Sequence, residues 1–390
     1  MLIIENGTVY TPSQVIPDGV VFVDDGHIQA VTRQGERAIP ADAQCIDARG
    51  GSIVPGLIDM HMHGLHDHDM MDGQPESLQA MAKVLPRYGV TSFAPTTITA
   101  TLESIEGALK ATQQVQQAGT PGAEILGVHI EGPYLSAQER GAHRVDLLRP
   151  PNADDYPMFW KYGDLIRSFT LAPELPGALD LIRQLKERGI LISAGHSIAI
   201  DVEMEKAVEA GVSHVTHMFG NMGTLRRLNL RRVAGLVEYT LLDDRLTTEI
   251  IGDGFHISPS LTKLIFKQKG PEHLAVITDG SPLTGRAPGT YRIWGIDVIV
   301  EENIAFVADR SAYAGTVATL NQCLARVIEN AGTTFQNALR MVTLTPATIL
   351  NVANRKGSLE PGKDADIAIL DNKLNVTQTI ARGKVAFTRA

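Results

Sequence analysis

Between about residues 53 and 350, short apolar runs alternate with segments whose apolar residues recur at helical spacing. Such alternation is typical of βα units, in which successive strands lie parallel. About eight strand ends can be assigned, at residues 58–63, 92–97, 125–131, 169–174, 191–196, 214–219, 249–253 and 274–279. Eight parallel strands close a barrel, so we predict an α/β fold with a (β/α)8 TIM-type barrel. A doubly wound sheet is disfavoured because GxGxxG and P-loop motifs are missing and the ionisable residues are spread over many strands.

The two ends of the chain have a different pattern. Residues 2–50 contain short alternating runs separated by Asn-Gly and Asp-Gly pairs, which favour hairpin turns. Residues 357–366 form a turn-rich entry to further strand-like runs. We therefore predict that residues 1–52 and 355–390 together form a small β-sandwich domain beside a catalytic barrel of residues 53–354.

Composition excludes several classes of protein. The 390 residues are 44% hydrophobic and 20% charged, which is ordinary for a globular protein. A formal net charge of −9 disfavours nucleic acid or an anionic membrane as a partner. No apolar stretch approaches membrane-spanning length and the first residues lack a signal-peptide layout, so we expect a cytoplasmic protein. The widely separated Cys45 and Cys323 are expected to be reduced thiols.

Two histidines close the first apolar run of the central region. His61 and His63 are separated by one residue, and alternate residues of a strand point to the same side. Both imidazoles can therefore face one metal ion, and Gly64 lets the backbone turn away at once. The pair alone is a weak signal, because solvated or core histidines are common.

Further metal-binding side chains end later strand-like runs. They are Glu131, His196, His217 and Asp279. Any one of them could instead be a capping residue at the start of a loop. Their shared placement at strand ends favours chemistry, because the active site of a parallel barrel is built from the loops at that end. Imidazole and carboxylate suit zinc, iron or a similar divalent ion.

Several motifs together make a family resemblance specific. They are PGLIDMHMHG at residues 55–64, HIEGPY at 129–134, GAH at 141–143, LAPE at 171–174, AGHS at 194–197, THMF at 216–219, DGFH at 253–256, TD at 278–279 and GSLEPGKDAD at 357–366. With these motifs the chain resembles the N-acetylglucosamine-6-phosphate deacetylase family of the amidohydrolase superfamily, nearly end to end. The resemblance implies a metal-dependent barrel with a β-sandwich from both termini, usually a homodimer.

The resemblance also implies a metal site. The family's ligands correspond to Glu131, His196 and His217, and some members bind a second ion through a His-x-His pair such as His61 and His63. One ion and two ions both stay open. Zinc is the first expectation, with iron, cobalt or manganese as alternatives.

A divalent ion lowers the pKa of bound water from about 15.7 toward roughly 7. Asp279 can then act as general base toward that water and as general acid toward the leaving amine. His143 is implied to stabilise the oxyanion, although the sequence alone favours a surface-loop histidine. The residues expected to bind substrate are Ala142, His143, Gly220, Asn221, Arg226, Arg227, His256, Tyr313, Ala314 and Gly315.

The chain departs from the family pattern around the substrate. In the family, an asparagine stands three residues after the metal-binding histidine. Here Asn221 stands four residues after His217, one position later. The arginine that grips phosphate in the family is replaced at its own position by Asn229. Arg226, Arg227, Arg231 and Arg232 could supply an equivalent planar donor, or could form a solvated basic helix face.

We predict a hydrolase that removes the N-acetyl group from an amino sugar, a 6-phosphate such as N-acetylglucosamine 6-phosphate, releasing acetate. Another amidohydrolase reaction, on a different N-acyl sugar or a cyclic amide, is the first alternative. It is disfavoured because such relatives commonly carry a bridging lysine, where this chain has Glu131. The second alternative is a barrel without catalysis that acts as a binding protein.

Overall fold

The computed structural model describes residues 1–301 and 304–389. The strands are β1 (Leu2–Tyr10), β2 (Val15–Asp24), β3 (His27–Arg33), β4 (Gln44–Asp47), β5 (Ser52–Pro55), β6 (Leu57–Met62), β7 (Gly64–Leu65), β8 (His68–Asp69), β9 (Val90–Pro95), β10 (Glu124–Ile125), β11 (Val128–Glu131), β12 (Ile166–Leu171), β13 (Leu191–Ala194), β14 (His214–Val215), β15 (Arg226–Leu228), β16 (Arg231–Val233), β17 (Thr247–Ile251), β18 (Leu274–Ile277), β19 (Gly289–Ile293), β20 (Ile296–Glu301), β21 (Ile304–Val307), β22 (Tyr313–Thr316), β23 (Ile367–Leu370), β24 (Val376–Ala381) and β25 (Lys384–Thr388).

The α-helices are α1 (Pro75–Val84), α2 (Leu102–Ala118), α3 (Tyr156–Lys161), α4 (Ala178–Glu187), α5 (Asp201–Ala210), α6 (Leu236–Leu242), α7 (Pro259–His273), α8 (Leu320–Ala331), α9 (Phe335–Met341) and α10 (Leu344–Ile349). Within the described residues, no helix combines the length and the hydrophobicity needed to cross a bilayer.

Strands from both ends of the chain pair in one sheet. Its order is β25-β24-β23-β5-β1-β2-β3, with β4 paired to β1. The sheet reaches Pro55, three residues beyond the predicted boundary at residue 52, because β5 pairs with both β1 and β23. Along β23, Ile367 and Ile369 pack into the core of this sheet, whereas Ala368 and Leu370 join the core of the central region. The twofold alternation of strand side chains thus attaches the terminal sheet to the rest of the molecule.

The central region contains the predicted parallel strands. They pair as β10-β9-β6 and as β11-β12-β13-β14-β17-β18, and each predicted strand end overlaps an observed strand. Single parallel bridges join Met62 to Gly280 and Thr96 to His129, which brings the two sheets together at their carboxyl ends. The chain has the mixed α/β architecture that the alternation of apolar runs predicts.

A four-stranded antiparallel meander, β19 to β22, interrupts this pattern between β18 and α8. The prediction that residues from about 53 to 350 consist of βα units alone was therefore wrong for residues 289–316. The meander has its own small apolar core, which includes Val298, Val300 and Ala314. Its first turn, Trp294-Gly295, has positive φ at both residues, which suits a two-residue hairpin.

A short hairpin also replaces the basic helix face that was one reading of the arginine-rich segment. Strands β15 and β16 pair antiparallel, with Arg227 opposite Arg232. The turn residues Asn229 and Leu230 both have positive φ, at 45° and 71°. A right-handed helix cannot contain two consecutive residues of this conformation, so the backbone reverses direction there.

Candidate metal centre and active site

The predicted ligands converge at the carboxyl ends of the parallel strands. His61 lies in β6 and Glu131 ends β11. His196, His217 and Asp279 each stand two residues after the last residue of β13, β14 and β18. The side chains of His61, Glu131, His196 and His217 are almost completely buried. The Asp279 side chain is 13% exposed. His196, His217 and Asp279 have positive φ, at 47°, 23° and 50°, so the backbone turns sharply where each strand ends. Such strained positions are concentrated at functional sites.

The Glu131 carboxylate lies at the centre of five imidazoles. Its Oε1 atom is 3.1 Å from His217 Nε2 and 3.3 Å from His196 Nε2. Its Oε2 atom is 3.4 Å from His63 Nε2 and 3.6 Å from the Nε2 atoms of His61 and His143. The two carboxylate oxygens therefore face two different groups of nitrogens.

The first group has the spacing of a metal site. Glu131 Oε1, His196 Nε2 and His217 Nε2 form a triangle, whose third side, between the two nitrogens, is 3.1 Å. Ligands of a tetrahedral zinc with bonds of about 2.0 Å lie about 3.3 Å apart. Three protein ligands leave one position open, as in a catalytic site.

The second group contains His61, His63 and Glu131, whose donor atoms lie within 4.8 Å of one another. Asp279 Oδ1 completes it, at 3.2 Å from His63 Nε2 and 3.5 Å from His61 Nε2. His61, His63 and Glu131 would therefore hold a second cation if one binds there.

Hydrogen bonds on the far side of two imidazoles fix which nitrogen is free. His196 Nδ1 donates to the backbone oxygen of Glu139 at 2.7 Å, and His61 Nδ1 donates to Glu249 Oε1 at 2.6 Å. In the neutral form of each ring, the Nε2 lone pair therefore faces Glu131. Metal-binding histidines commonly donate their other N–H to a carbonyl or a carboxylate in this way.

Three buried nitrogens of the cluster lack a hydrogen-bond partner within the described part of the chain. They are His61 Nε2, His63 Nδ1 and His217 Nδ1. A buried polar atom without a partner is costly, so nearly all such atoms in proteins are satisfied. A cation beside His61 Nε2 removes this cost there, and the donor set of the cluster therefore fits a divalent metal.

The electrostatics of the cluster keep its carboxyls ionised. Burial by itself raises the pKa of Glu131, but the surrounding imidazoles, His61 foremost, hold that pKa well below its usual range. Burial likewise opposes ionisation of Asp279, and the hydrogen bond with His63 and the charge of His61 outweigh it and lower the pKa. Both side chains are anionic at neutral pH, the state that binds a cation or accepts a proton.

His143 is buried beside the ligands rather than exposed on a surface loop. Its Nδ1 accepts the backbone N–H of Thr99 at 3.2 Å and lies 2.7 Å from Thr99 Oγ1. Because Nδ1 accepts, the neutral ring carries its proton on Nε2, which faces Glu131. Burial lowers the pKa of His143 to about 4, so the ring is neutral near pH 7.

A pocket of about 440 Å³ opens over the cluster. Its lining includes most of the predicted substrate contacts: Ala142, His143, Gly220, Asn221, His256, Tyr313 and Gly315. Ala314 lies instead in the core of the meander, because successive residues of β22 face opposite sides. Arg226 and Arg227 also lie outside the lining, because their segment forms the separate hairpin of β15 and β16.

Some site residues were missed by the sequence analysis. Glu249 contacts His61 and His214 from the buried strand β17, and its signal was a carboxylate within an apolar run. Trp294, Phe306 and Arg310 line the pocket from the meander. Because the meander was not predicted, no local pattern placed these three near the metal ligands.

Comparisons with known proteins agree with this geometry. A model described as the amidohydrolase family matches residues 52–386. The N-acetylglucosamine-6-phosphate deacetylase of Bacillus subtilis (strain 168) is 34% identical, over 99% of this chain and 97% of that protein. The chain belongs to the N-acetylglucosamine-6-phosphate deacetylase family of amidohydrolases. The N-acetylgalactosamine-6-phosphate deacetylase of Escherichia coli O157:H7 is 33% identical, over 95% of each chain.

Solved structures of deacetylases share the fold of this family member. The N-acetylglucosamine-6-phosphate deacetylase of Pasteurella multocida superposes with a TM-score of 0.92 at 28% identity, covering 98% of this chain and 99% of that one. A mutant of the Mycobacterium smegmatis enzyme, in complex with N-acetyl-D-glucosamine-6-phosphate, gives a TM-score of 0.90 at 28% identity, with 99% of each chain covered. Membership in this deacetylase family confirms the predicted enzyme class, a hydrolase of carbon–nitrogen amide bonds, and the predicted family.

Proposed function

We propose that this chain removes the N-acetyl group from an amino sugar 6-phosphate and releases acetate. The observation that carries the proposal is the Glu131 carboxylate, which joins two groups of imidazoles directly beside Asp279 at the floor of a pocket. The names of the relatives support a phosphorylated N-acetyl sugar. They include both glucosamine and galactosamine forms, so the proposal covers this class of sugars.

Glu131, His196 and His217 would hold a divalent ion, with zinc as the first candidate and iron, cobalt and manganese as the others. His61 and His63 would hold a second ion with the other oxygen of Glu131. A bound divalent cation supplies Lewis acidity, which makes water nucleophilic near neutral pH and polarises a carbonyl. The triangle of donor atoms and the unpartnered His61 Nε2 support this assignment.

Asp279 and His143 carry the proton transfer and the charge stabilisation. The ionised Asp279 accepts a proton from the attacking water and returns it to the amine nitrogen as the amide bond breaks. The Nε2–H of the neutral His143 donates to the carbonyl oxygen as negative charge develops there. Both groups are held before substrate arrives, Asp279 by His63 and His143 by Thr99.

The proposal includes the arrangement of the chain. The parallel strands close into a (β/α)8 barrel, supported by the bridges Met62–Gly280 and Thr96–His129. Residues 1–52 and 355–390 form the β-sandwich domain and residues 53–354 the catalytic domain. Ile28 of β3 and Ile380 of β24 share one core, although five strand spacings, about 24 Å in a flat sheet, separate their strands. A core that contains residues from such distant strands supports a terminal sheet that folds over itself.

Assembly and location belong to the same proposal. We assign a homodimer, supported by the exposed leucines of the β15–β16 hairpin, of which Leu230 is 81% exposed. We assign the cytoplasm as the location, because a charged sugar phosphate does not cross a bilayer unaided. The unpaired thiols of Cys45 and Cys323 agree with a reducing compartment.

Acetate release and metal content test the function together. We expect the purified chain to contain a stoichiometric divalent ion and to release acetate from N-acetylglucosamine, N-acetylgalactosamine or N-acetylmannosamine, assayed with and without the 6-phosphate. Asp279→Asn should keep the metal and lose roughly 10²–10⁴-fold in turnover, because it removes the proton acceptor and keeps the shape.

The matched control is Asp180→Asn, since the Asp180 side chain is 78% exposed on α4. It should retain wild-type turnover. Near-normal activity of Asp279→Asn contradicts the role of that carboxylate. A chain without any divalent ion and without acetate release from any of the sugars supports the binding-protein alternative instead.

A further inference from the structure

The pocket over the metal ligands has one strongly basic side chain in its described lining. Among the residues of 1–301 and 304–389 that line it, Arg310 is the sole arginine and no lysine is present. Arg310 lies in the connection between β21 and β22 of the meander. A phosphate dianion that enters this pocket therefore meets a single guanidinium of this chain.

A row of ring side chains in contact with one another connects the interior of the pocket with Arg310. The His256 and Tyr313 rings lie 4.4 Å apart, and the Tyr313 and Phe306 rings lie 5.4 Å apart. The Arg310 guanidinium carbon lies 4.9 Å above the Phe306 ring. At the inner end, His256 Nδ1 donates to the buried Asp253 carboxylate at 2.7 Å, which holds the ring in place. The row forms one continuous wall of the pocket.

The Arg310 guanidinium is held at one edge. Its Nη2 atom lies 2.5 Å from Glu301 Oε1, and its central carbon lies over the Phe306 ring. A guanidinium is planar and carries five N–H donors, so one carboxylate contact leaves donors for a second anion. Contact with an aromatic ring limits the rotamers of the side chain and lowers the entropy lost on binding.

We propose that Arg310 binds the phosphate monoester of the substrate, and that the wall from His256 to Phe306 sets the distance between this phosphate and the acetamido group at the metal ligands. The proposal rests on the proposed function and specifies the side chain that selects 6-phosphorylated sugars. Arg310 is thus a specificity residue, and it takes no part in breaking the amide bond.

The charges around Arg310 give a second expectation. The Glu301 side chain is 49% exposed and competes with the phosphate for the guanidinium. Glu301 also repels the phosphate, because the two groups are both anions at neutral pH. Glu301→Gln should therefore bind the phosphorylated sugar more tightly than the wild type. If the ion pair between Arg310 and Glu301 were purely structural, Glu301→Gln should bind the phosphorylated sugar less tightly, because replacing either partner would loosen the meander.

The experiment compares phosphorylated and unphosphorylated ligands in wild type and in Arg310→Gln. We expect KM for N-acetylglucosamine 6-phosphate to rise roughly 10- to 100-fold with kcat changed less than about threefold, the scale of one charge-assisted hydrogen bond. The kcat/KM for N-acetylglucosamine should stay within about threefold. Arg310→Lys, which keeps the charge and loses the planar donors, should recover part of the preference.

Arg292→Gln is the matched control, because Arg292 forms the same kind of pair, with Asp297, in the same meander and lies outside the pocket lining. It should leave both kinetic constants unchanged. Equal losses of kcat/KM on both sugars in Arg310→Gln, or no loss on either, overturn the proposal. The proposal is also overturned if Arg226→Gln or Arg227→Gln lowers kcat/KM for the phosphorylated sugar alone and Arg310→Gln does not. That result would assign phosphate binding to the β15–β16 hairpin.

Direct binding separates this inference from the proposed function. Glucosamine 6-phosphate and glucosamine are titrated by calorimetry, which requires no turnover. The anion site is supported if the wild type binds glucosamine 6-phosphate more tightly than glucosamine and Arg310→Gln weakens binding of the phosphorylated sugar at least tenfold. This conclusion holds even if no acetate is released from any substrate. Equal affinity of the wild type for the two sugars overturns it, whatever the activity.

Discussion

Glu249 is the buried carboxylate that orients His61. It accepts from His61 Nδ1 at 2.6 Å and from the backbone N–H of His217 at 3.2 Å, and His214 Nε2 lies 3.4 Å from its other oxygen. Two of the proposed ligand positions are therefore fixed by one side chain. Burial raises the pKa of this carboxyl, but His61 and His214 outweigh it and hold the pKa well below its usual range.

Glu249→Gln should weaken metal binding while the fold is retained. The amide keeps the size of the side chain and loses the charge that anchors His61, and partners of metal ligands commonly contribute roughly 10–100-fold in affinity. Metal content after dialysis against a series of chelator concentrations measures the change. The control Glu209→Gln alters an exposed glutamate of α5 and should retain its metal. Equal metal retention by Glu249→Gln and Glu209→Gln would show that His61 binds metal without the charge of Glu249.

The meander contributes a wall of the pocket through the tip of its first hairpin. Trp294 stands in this turn with φ of 54°, a conformation that is rare for a large aromatic residue. Its indole N–H donates to Asp69 Oδ2 at 2.6 Å, and its ring lies 5.4 Å from the His63 ring. The loop after β6 therefore holds the hairpin tip against the metal ligands. Burial raises the pKa of Asp69 to about 6.

Trp294→Phe should loosen this contact. The phenyl ring retains apolar area but cannot donate, so the buried Asp69 loses one partner, at a cost of about 1–3 kcal/mol. We expect a lower Tm and a KM raised for every sugar, phosphorylated or not. Calorimetry and steady-state kinetics measure the two effects.

Trp160→Phe is the control, because Trp160 stacks with Arg188 away from the pocket, and the sequence contains two tryptophans. It also leaves Trp294 as the sole indole, whose fluorescence should change when a sugar binds. A Trp294→Phe enzyme with wild-type KM would show that the hairpin tip does not shape the pocket.

A network of charges joins the terminal sheet to the parallel strands. The buried Lys356 ammonium lies 2.8 Å from Glu124 of β10, 2.8 Å from Asp364 and 2.5 Å from Asp366, which precedes β23. Arg355 adds contacts to Glu124 and Asp364. Burial raises the pKa of Glu124, but the hydrogen bonds and charges of Arg355 and Lys356 outweigh it and lower the pKa to about 2.

Glu124 should make the stability of the whole molecule depend on acid pH. Its pKa is lower in the folded state than in the unfolded chain, so its contribution is complete above about pH 4.5 and is lost as the pH falls toward about 2. Glu124→Gln should lower the free energy of unfolding at pH 7 by about 2–3 kcal/mol and flatten its decline below pH 4.5.

Urea unfolding at several pH values between 3 and 7 tests this expectation. Glu106→Gln, which removes an exposed pair with Lys161, is the control and should change the pH dependence little. An unchanged slope in Glu124→Gln below pH 4.5 would contradict the assignment of the acid sensitivity to this network.

The sequence by itself determined the strands and the kinds of side chain at their ends. Periods of 2 and 3.6 residues and the turn-forming glycines are local properties, so the parallel strands, the terminal strands and the positions of Glu131, His196, His217 and Asp279 could be predicted from short windows. The meander and the β15–β16 hairpin were missed because their strands are short and most of the residues in β15, β16, β19 and β20 are exposed or partly exposed, which weakens the alternation.

The tertiary structure decided which of these side chains meet and how each is held. His61 and Glu249 are 188 residues apart, and no local pattern reports their 2.6 Å contact or the nitrogen that it leaves free. The same holds for Arg310, which lines the pocket while Arg226 and Arg227 do not. Local periodicity depends on neighbours along the chain, whereas convergence at the mouth of the parallel strands depends on the packing of distant segments, and only the folded chain supplies it.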